Sequence, residues 1–159
     1  MILVLLGTGP FQFTRLLDAV DKWAQETNEK VVAQCGHTPS DKYDFECHTF
    51  VDHEVLIKLI NRADVVVSQG GFGSLKDCLR AGKPTVAVPR DPQYGEVQGD
   101  QAELVDALEK EGWIVALKNM DKLGEAIKAA CELKMPSDYS SDIPELVASE
   151  INEVLGSQD

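Results

Sequence analysis

The stretch Asp64-Val65-Val66-Val67-Ser68-Gln69-Gly70-Gly71-Phe72-Gly73-Ser74 decides how this chain folds. Its three consecutive valines, with no polar alternation, predict a strand buried on both faces of a sheet. The three glycines that follow remove side chains where a backbone must approach something closely. A helix is expected from about Ser74 to Ala81, ended by Gly82 and Pro84. In such a strand–loop–helix unit the helix N-terminus presents free N–H groups and a positive dipole end, which suits an anion. The Gly-Lys-Ser/Thr ending of a P-loop is absent, as is the dinucleotide glycine spacing, and the unit does not follow the first strand. On this motif alone, a tight turn without a ligand is the competing reading.

Working outward, strand and helix alternate almost throughout. Strands are expected at Ile2–Leu6, Lys30–Gln34, Cys47–Val51, Thr85–Val88 and Trp113–Leu117. Helices are expected over Thr14–Glu26, through Val55–Ile60 behind a capping Asp52, over Asp100–Glu111, Met120–Glu132 and Ile143–Leu155. Short β-branched strands alternating with amphipathic helices predict an α/β fold, a Rossmann-like doubly wound parallel sheet. Ligands of such sheets bind at the carboxyl ends of the strands. The remaining informative residues lie there: Gly7-Thr8-Gly9 after the first strand, and the polar loop from Arg90 to Gln101. Arg90 is read as a phosphate partner or as a solvated loop cation. Asp77, one helical turn past the glycine loop, is read as a ribose acceptor or as a residue favouring the helix N-terminus. No Ser/His/Asp set and no close carboxylate pair is readable, so no catalytic residue is assigned.

The 159 residues suit one domain. A two-domain enzyme with an interdomain cleft does not fit in them. Net charge is −12, and residues 135–159 carry six acids with no Lys or Arg. This divides the chain into a domain at 1–134 and an acidic segment at 135–159, which is read as a solubilising tail or as a docking element. An acidic chain with no basic stripe argues against nucleic acid and against direct binding to an anionic membrane. The apolar run Ile2–Leu6 is too short for a signal peptide or a span, so no membrane insertion is expected. Cys35, Cys47, Cys78 and Cys131 form no Cys-x-x-Cys pair. Even with His37, His48 and His53 nearby they match no zinc spacing, so no metal or cofactor is assigned. Reduced thiols of this kind suit the cytoplasm.

Several motifs together resemble a known family. They are Ala63 to Ser74 continuing to Arg80-Ala81-Gly82-Lys83-Pro84, then Val88-Pro89-Arg90, Tyr94-Gly95-Glu96 and Asp100-Gln101-Ala102-Glu103-Leu104. Leu6-Gly7-Thr8 with Phe13 and Arg15-Leu16, Ala33-Gln34-Cys35-Gly36-His37, and Phe50-Val51 complete the set. The combination, over roughly residues 1–130, resembles the nucleotide-sugar domain of glycosyltransferase family 28. It is most similar to the small subunits of split bacterial exopolysaccharide and capsule glycosyltransferases and of the dolichol-linked N-acetylglucosaminyltransferase.

The resemblance implies a single GT-B half domain that binds a UDP-sugar. By it, Gln69, Gly70, Gly71, Phe72, Gly73 and Ser74 would form the diphosphate loop. Asp77 stands where the family usually has a ribose-binding Glu, and the backbone near Phe50 and Val51 would meet uracil. Gln101, with Asp100 before it, would contact the donor sugar, and Thr8 would lie near the phosphate or the acceptor side. A membrane-associated partner subunit would bind the lipid-linked acceptor, keeping this chain at the cytoplasmic side of the membrane. The sequence departs from the family pattern at Gln69, at Phe72, at the shorter Asp77 and in a 96–101 loop without histidines. Those departures keep a non-catalytic, nucleotide-sugar-binding or regulatory homologue open as the alternative. An unrelated α/β nucleotide or phosphate enzyme is the third reading.

Overall fold

A computed structural model describes residues 1–97 and 101–136. Asp100 and the expected terminal helix Ile143–Leu155 lie outside the described residues. In chain order the elements are β1 (Ile2–Leu5), α1 (Thr14–Thr27), β2 (Val31–Gln34), β3 (Glu46–His48) and α2 (His53–Arg62). They continue with β4 (Val65–Gln69), α3 (Phe72–Arg80), β5 (Thr85–Val88), α4 (Ala102–Lys110), β6 (Val115–Ala116) and α5 (Leu123–Glu132). The six strands form one sheet in the order β3-β2-β1-β4-β5-β6, and every pair is parallel. This is the Rossmann strand order, whose direction of winding reverses between β1 and β4.

Side chains alternate between the two faces, as the period of a strand requires. Ile2 and Val4 join Leu16, Leu17 and Val20 of α1 and Leu123, Ile127 and Ala130 of α5 on one face. Leu3, Leu5 and Val66 meet Ile60 of α2 and Cys78 of α3 on the other. A further cluster packs Leu75 and Leu79 of α3 with Leu104, Val105 and Leu108 of α4 over Ala87 and Ile114. Helices therefore cover both faces, which is why the strands carry unbroken apolar runs. Each fully buried Leu or Val contributes on the order of 2 kcal/mol relative to exposure.

Three boundaries differ from the sequence expectation. The strand expected over Cys47–Val51 is the edge strand β3, which ends at His48, opposite the end of β2 at Gln34, with Cys35 and Gly36 N–H still donating to His48 O and Thr49 O. Phe50 and Val51 consequently sit in the connection to α2. The glycine loop is shorter than its composition suggests. β4 runs to Gln69 and α3 starts at Phe72, so Gly71 is the N-cap and Ser74 is already helical. The strand expected over Trp113–Leu117 pairs only at Val115 and Ala116, against Val86 and Ala87 of β5. Asp52 does occupy the N-cap of α2, but its side chain makes no capping hydrogen bond.

Candidate functional site

The carboxyl ends of β1, β2, β4 and β5 open into one cleft of about 400 Å³ at the reversal between β1 and β4. Register explains the convergence: Leu5 pairs with Gln34 and with Ser68, and Gln69 with Val88, so the strands end nearly level. Gly7, Thr8, Gly9, Val51, Gln69, Gly73, Ser74, Asp77, Arg90 and Gln101 all line the cleft. The structure thus brings together most of the residues expected from sequence.

One wall is the start of α3. Its N-cap makes no side-chain hydrogen bond, and backbone pairing begins only with Leu75 N–H on Gly71 O. The N–H groups of Gly73 and Ser74 are therefore uncapped by side chains, and among the described residues Ser74 Oγ has no hydrogen-bond partner. This concentrates positive potential at a site with room for an anion.

The floor is built by amides. Gln34, buried at the end of β2, accepts from Gly7 N–H at 3.0 Å and donates to Gly7 O at 2.9 Å and Thr49 O at 3.0 Å. Gly7 has φ +75°, a conformation that favours glycine. Gln69, only 9% exposed, lies between Gly7 and Gly71: a Cβ added to either would stand 2.8 Å or 2.3 Å from its Nε2. Gln69 Oε1 accepts from Gln101 Nε2 at 3.0 Å, and Gln101 Oε1 accepts from Arg90 N–H at 3.0 Å. A chain of amides thereby ties the ends of β4 and β5 to the start of α4.

Arg90 is not a solvated loop cation. It is 5% exposed and donates from Nη1 to Phe11 O and Glu96 O and from Nη2 to Leu6 O, at 2.8, 3.0 and 2.6 Å. Burial lowers its pKa, and the neighbouring Glu96 partly opposes that shift. Glu96 is itself buried and accepts two hydrogen bonds from Arg15, at 3.1 and 2.9 Å, and one from Asp91 N–H. The bond to Glu96 raises the Arg15 pKa. Arg15 also lies over the rings of Phe13 and Tyr94. These contacts latch the loop after β5 onto α1 and onto the loop after β1.

Asp77 faces the cleft from α3, with its Oδ2 3.1 Å from Nε2 of His53 at the start of α2. Four expected residues, Phe50, Gly70, Gly71 and Phe72, do not line the cleft. Phe72 packs on the α3–α4 cluster, with Lys76 over its ring, and Phe50 is 49% exposed with its ring edge-on to His37. Gly70 is enclosed by Val105, Gln101 and Pro89. Gln34, Glu96 and His53 belong to the site as well, although the sequence assigned them no part in it. For Gln34 a signal existed: an amide that ends a buried strand needs partners at that edge.

Among the described residues no three His, Cys, Asp or Glu side chains gather as metal ligands. Cys35 and Cys78 are pushed up to about 12, first by burial and then by Cys47 beside the one and Asp77 beside the other. Both are neutral thiols at pH 7, unsuited to nucleophilic work. No helix among the described residues is long and apolar enough to cross a membrane.

Residues 1–143 match the sequence model of the glycosyltransferase family 28 C-terminal domain. No curated protein matches the chain in sequence. Among solved structures, the solution structure of ALG13 superposes with a TM-score of 0.63 at 18% identity, covering 97% of this chain and 96% of that one. The glycotransferase of kitacinnamycin superposes with a TM-score of 0.58 at 18% identity, and MurG of Acinetobacter baumannii with 0.52 at 13%. This chain covers 98% of its own length but 40% of the kitacinnamycin enzyme, and 96% of its own length but 49% of MurG. At these identities the likeness is one of fold, and the chain spans less than half the length of both of those enzymes.

Proposed function

Because the chain belongs to the glycosyltransferase family 28 C-terminal domain family, we propose that it is the donor-binding subunit of an inverting glycosyltransferase. It takes a hexose from a UDP-sugar to a lipid-linked acceptor of exopolysaccharide assembly. The observation that carries this reading is the uncapped start of α3 with Ser74 and Asp77 facing one cleft at the β1/β4 reversal. Diphosphate oxygens fit against the Gly73 and Ser74 N–H groups, a ribose hydroxyl reaches Asp77, and the backbone at Val51, the residue after Phe50, borders the base. Thr8 and Gln101 stand on the side left for the sugar and its acceptor, and the departing diphosphate stays near Arg90.

In the reaction the acceptor oxygen bonds to the anomeric carbon as the bond from that carbon to the diphosphate oxygen breaks. The leaving UDP takes the bonding pair, and the acceptor hydroxyl loses its proton to a base. The dipole and N–H groups of α3 stabilise the charge that grows on UDP, a contribution that speeds such reactions about 100-fold or more. A membrane-associated partner that binds the acceptor supplies the opposite wall and the base, holding this chain at the cytoplasmic membrane surface.

The test is transfer from UDP-sugars by this chain co-expressed with such a partner. Transfer that falls at least tenfold with Ser74→Ala supports the reading. No transfer from any UDP-sugar, together with no UDP binding, overturns it. One observation favours the alternative, a non-catalytic nucleotide-sugar-binding or regulatory homologue: both polar ends of the Gln101 amide are occupied within the protein. UDP-sugar binding without turnover in the complex would select that alternative.

A further inference from the structure

We infer that His53 is a positioning residue for the nucleotide ribose, setting the Asp77 carboxylate so that the start of α2 and the side of α3 read the sugar together. The inference rests on the donor-cleft reading above. Asp77 side chain is 16% exposed and lies in the cleft wall, whereas His53 is 71% exposed at the rim. Their contact, Nε2 to Oδ2 at 3.1 Å, joins two helices 24 residues apart in sequence. Asp77 sits on a one-carbon stem, so its reach across the cleft depends on how its carboxylate is held. Holding Oδ2 from α2 fixes the carboxylate plane and leaves Oδ1, which has no hydrogen-bond partner among the described residues, to accept from a ribose hydroxyl.

Chain order gives the second support. Val51 lines the cleft, Asp52 caps α2, His53 follows, and Leu56 lines the cleft one turn later. The segment that would border the base therefore delivers His53 next to the ribose position, in the sequence base then sugar that a nucleoside presents. An ionised carboxylate has no hydrogen to give, so in this contact it is His53 Nε2 that carries the hydrogen and donates. In the neutral ring Nδ1 is then an acceptor at the rim.

The experiment compares dissociation constants of UDP, 2′-deoxy-UDP and 3′-deoxy-UDP for the wild-type chain, His53→Ala and His53→Gln. The wild type is expected to prefer UDP over the weaker deoxy analogue about tenfold, the size of one hydrogen bond to a charged group. In His53→Ala that preference falls below about threefold, and His53→Gln, which still donates to Asp77, recovers it at least partly. A His53→Ala chain that binds UDP with an unchanged deoxy preference overturns the inference, since a mere surface ion pair would behave so. Failure of the wild type to bind UDP at all would instead remove the donor-cleft reading and this inference with it.

Discussion

Gly71→Ala tests the amide floor of the cleft. Backbone torsions at Gly71, φ −77° and ψ 142°, are open to any residue, so the effect is steric rather than conformational. The new Cβ would stand 2.3 Å from Gln69 Nε2 and 3.0 Å from its Cδ and Oε1. Gln69 cannot simply swing aside. It is buried, its far side is closed by Gly7, and its Oε1 holds Gln101. Displacing it breaks that hydrogen bond, at about 1 kcal/mol, and disturbs a packed neighbourhood at about 1 kcal/mol more. For a domain of this size about 2 kcal/mol lowers Tm by roughly 4–8 °C. Alanine also caps a helix less well than glycine, a separate effect of up to about 1 kcal/mol. Urea denaturation of Gly71→Ala, Gln69→Ala and the double variant separates the two. Once Gln69 is truncated, Gly71→Ala should cost only the capping part. Equal costs in both backgrounds would refute the collision with Gln69 and the role assigned to it.

The latch on the loop after β5 gives two further expectations. Glu96→Gln removes the charge that faces Arg15 in a buried setting and should destabilise the fold by about 2–4 kcal/mol, read as a lower urea midpoint. Arg90→Lys cannot reach Leu6 O, Phe11 O and Glu96 O together, and should cost about 2–3 kcal/mol in the same assay. For the thiols the sign follows from their raised values. Cys35 and Cys78 contribute stability that is whole below the ordinary thiol value of 9.0 and is lost as pH rises toward about 12. Thermal unfolding across pH 8 to 11 should show that decline, and Cys78→Ala should flatten part of it while lowering stability overall. At neutral pH a thiol reagent should label exposed Cys131 before either of them.

The sheet was legible because its strands are buried on both faces: Val65-Val66-Val67 and Ile2–Leu5 read as strands from composition alone. Edge strands were less legible. β3 and β6 are bounded by where a single neighbour stops pairing, which no local preference records. In the cleft, Ser74 and Asp77 were found through the glycine loop beside them. Arg90 was found as a residue but not in its setting, because three carbonyls from the β1 end, the following loop and Glu96 come to it only in the fold. Gln34, His53 and Glu96 were named in motifs or near the cysteines but given no part in the site, because Gln34 meets Thr49, His53 meets Asp77 and Glu96 meets Arg15 only in the fold. The resemblance put Phe72 in the diphosphate loop, and in the fold α3 begins at that residue and its ring packs on the α3–α4 cluster.

If the start of α3 receives the diphosphate of a uridine nucleotide, titration of the chain with UDP should move the amide chemical shifts beside it. Saturable shifts are expected at Gly7, Gly73, Ser74 and Asp77, and none in a matched titration with uridine. Shifts confined to the α1 and α5 face, or no shifts at millimolar UDP, would refute diphosphate binding there.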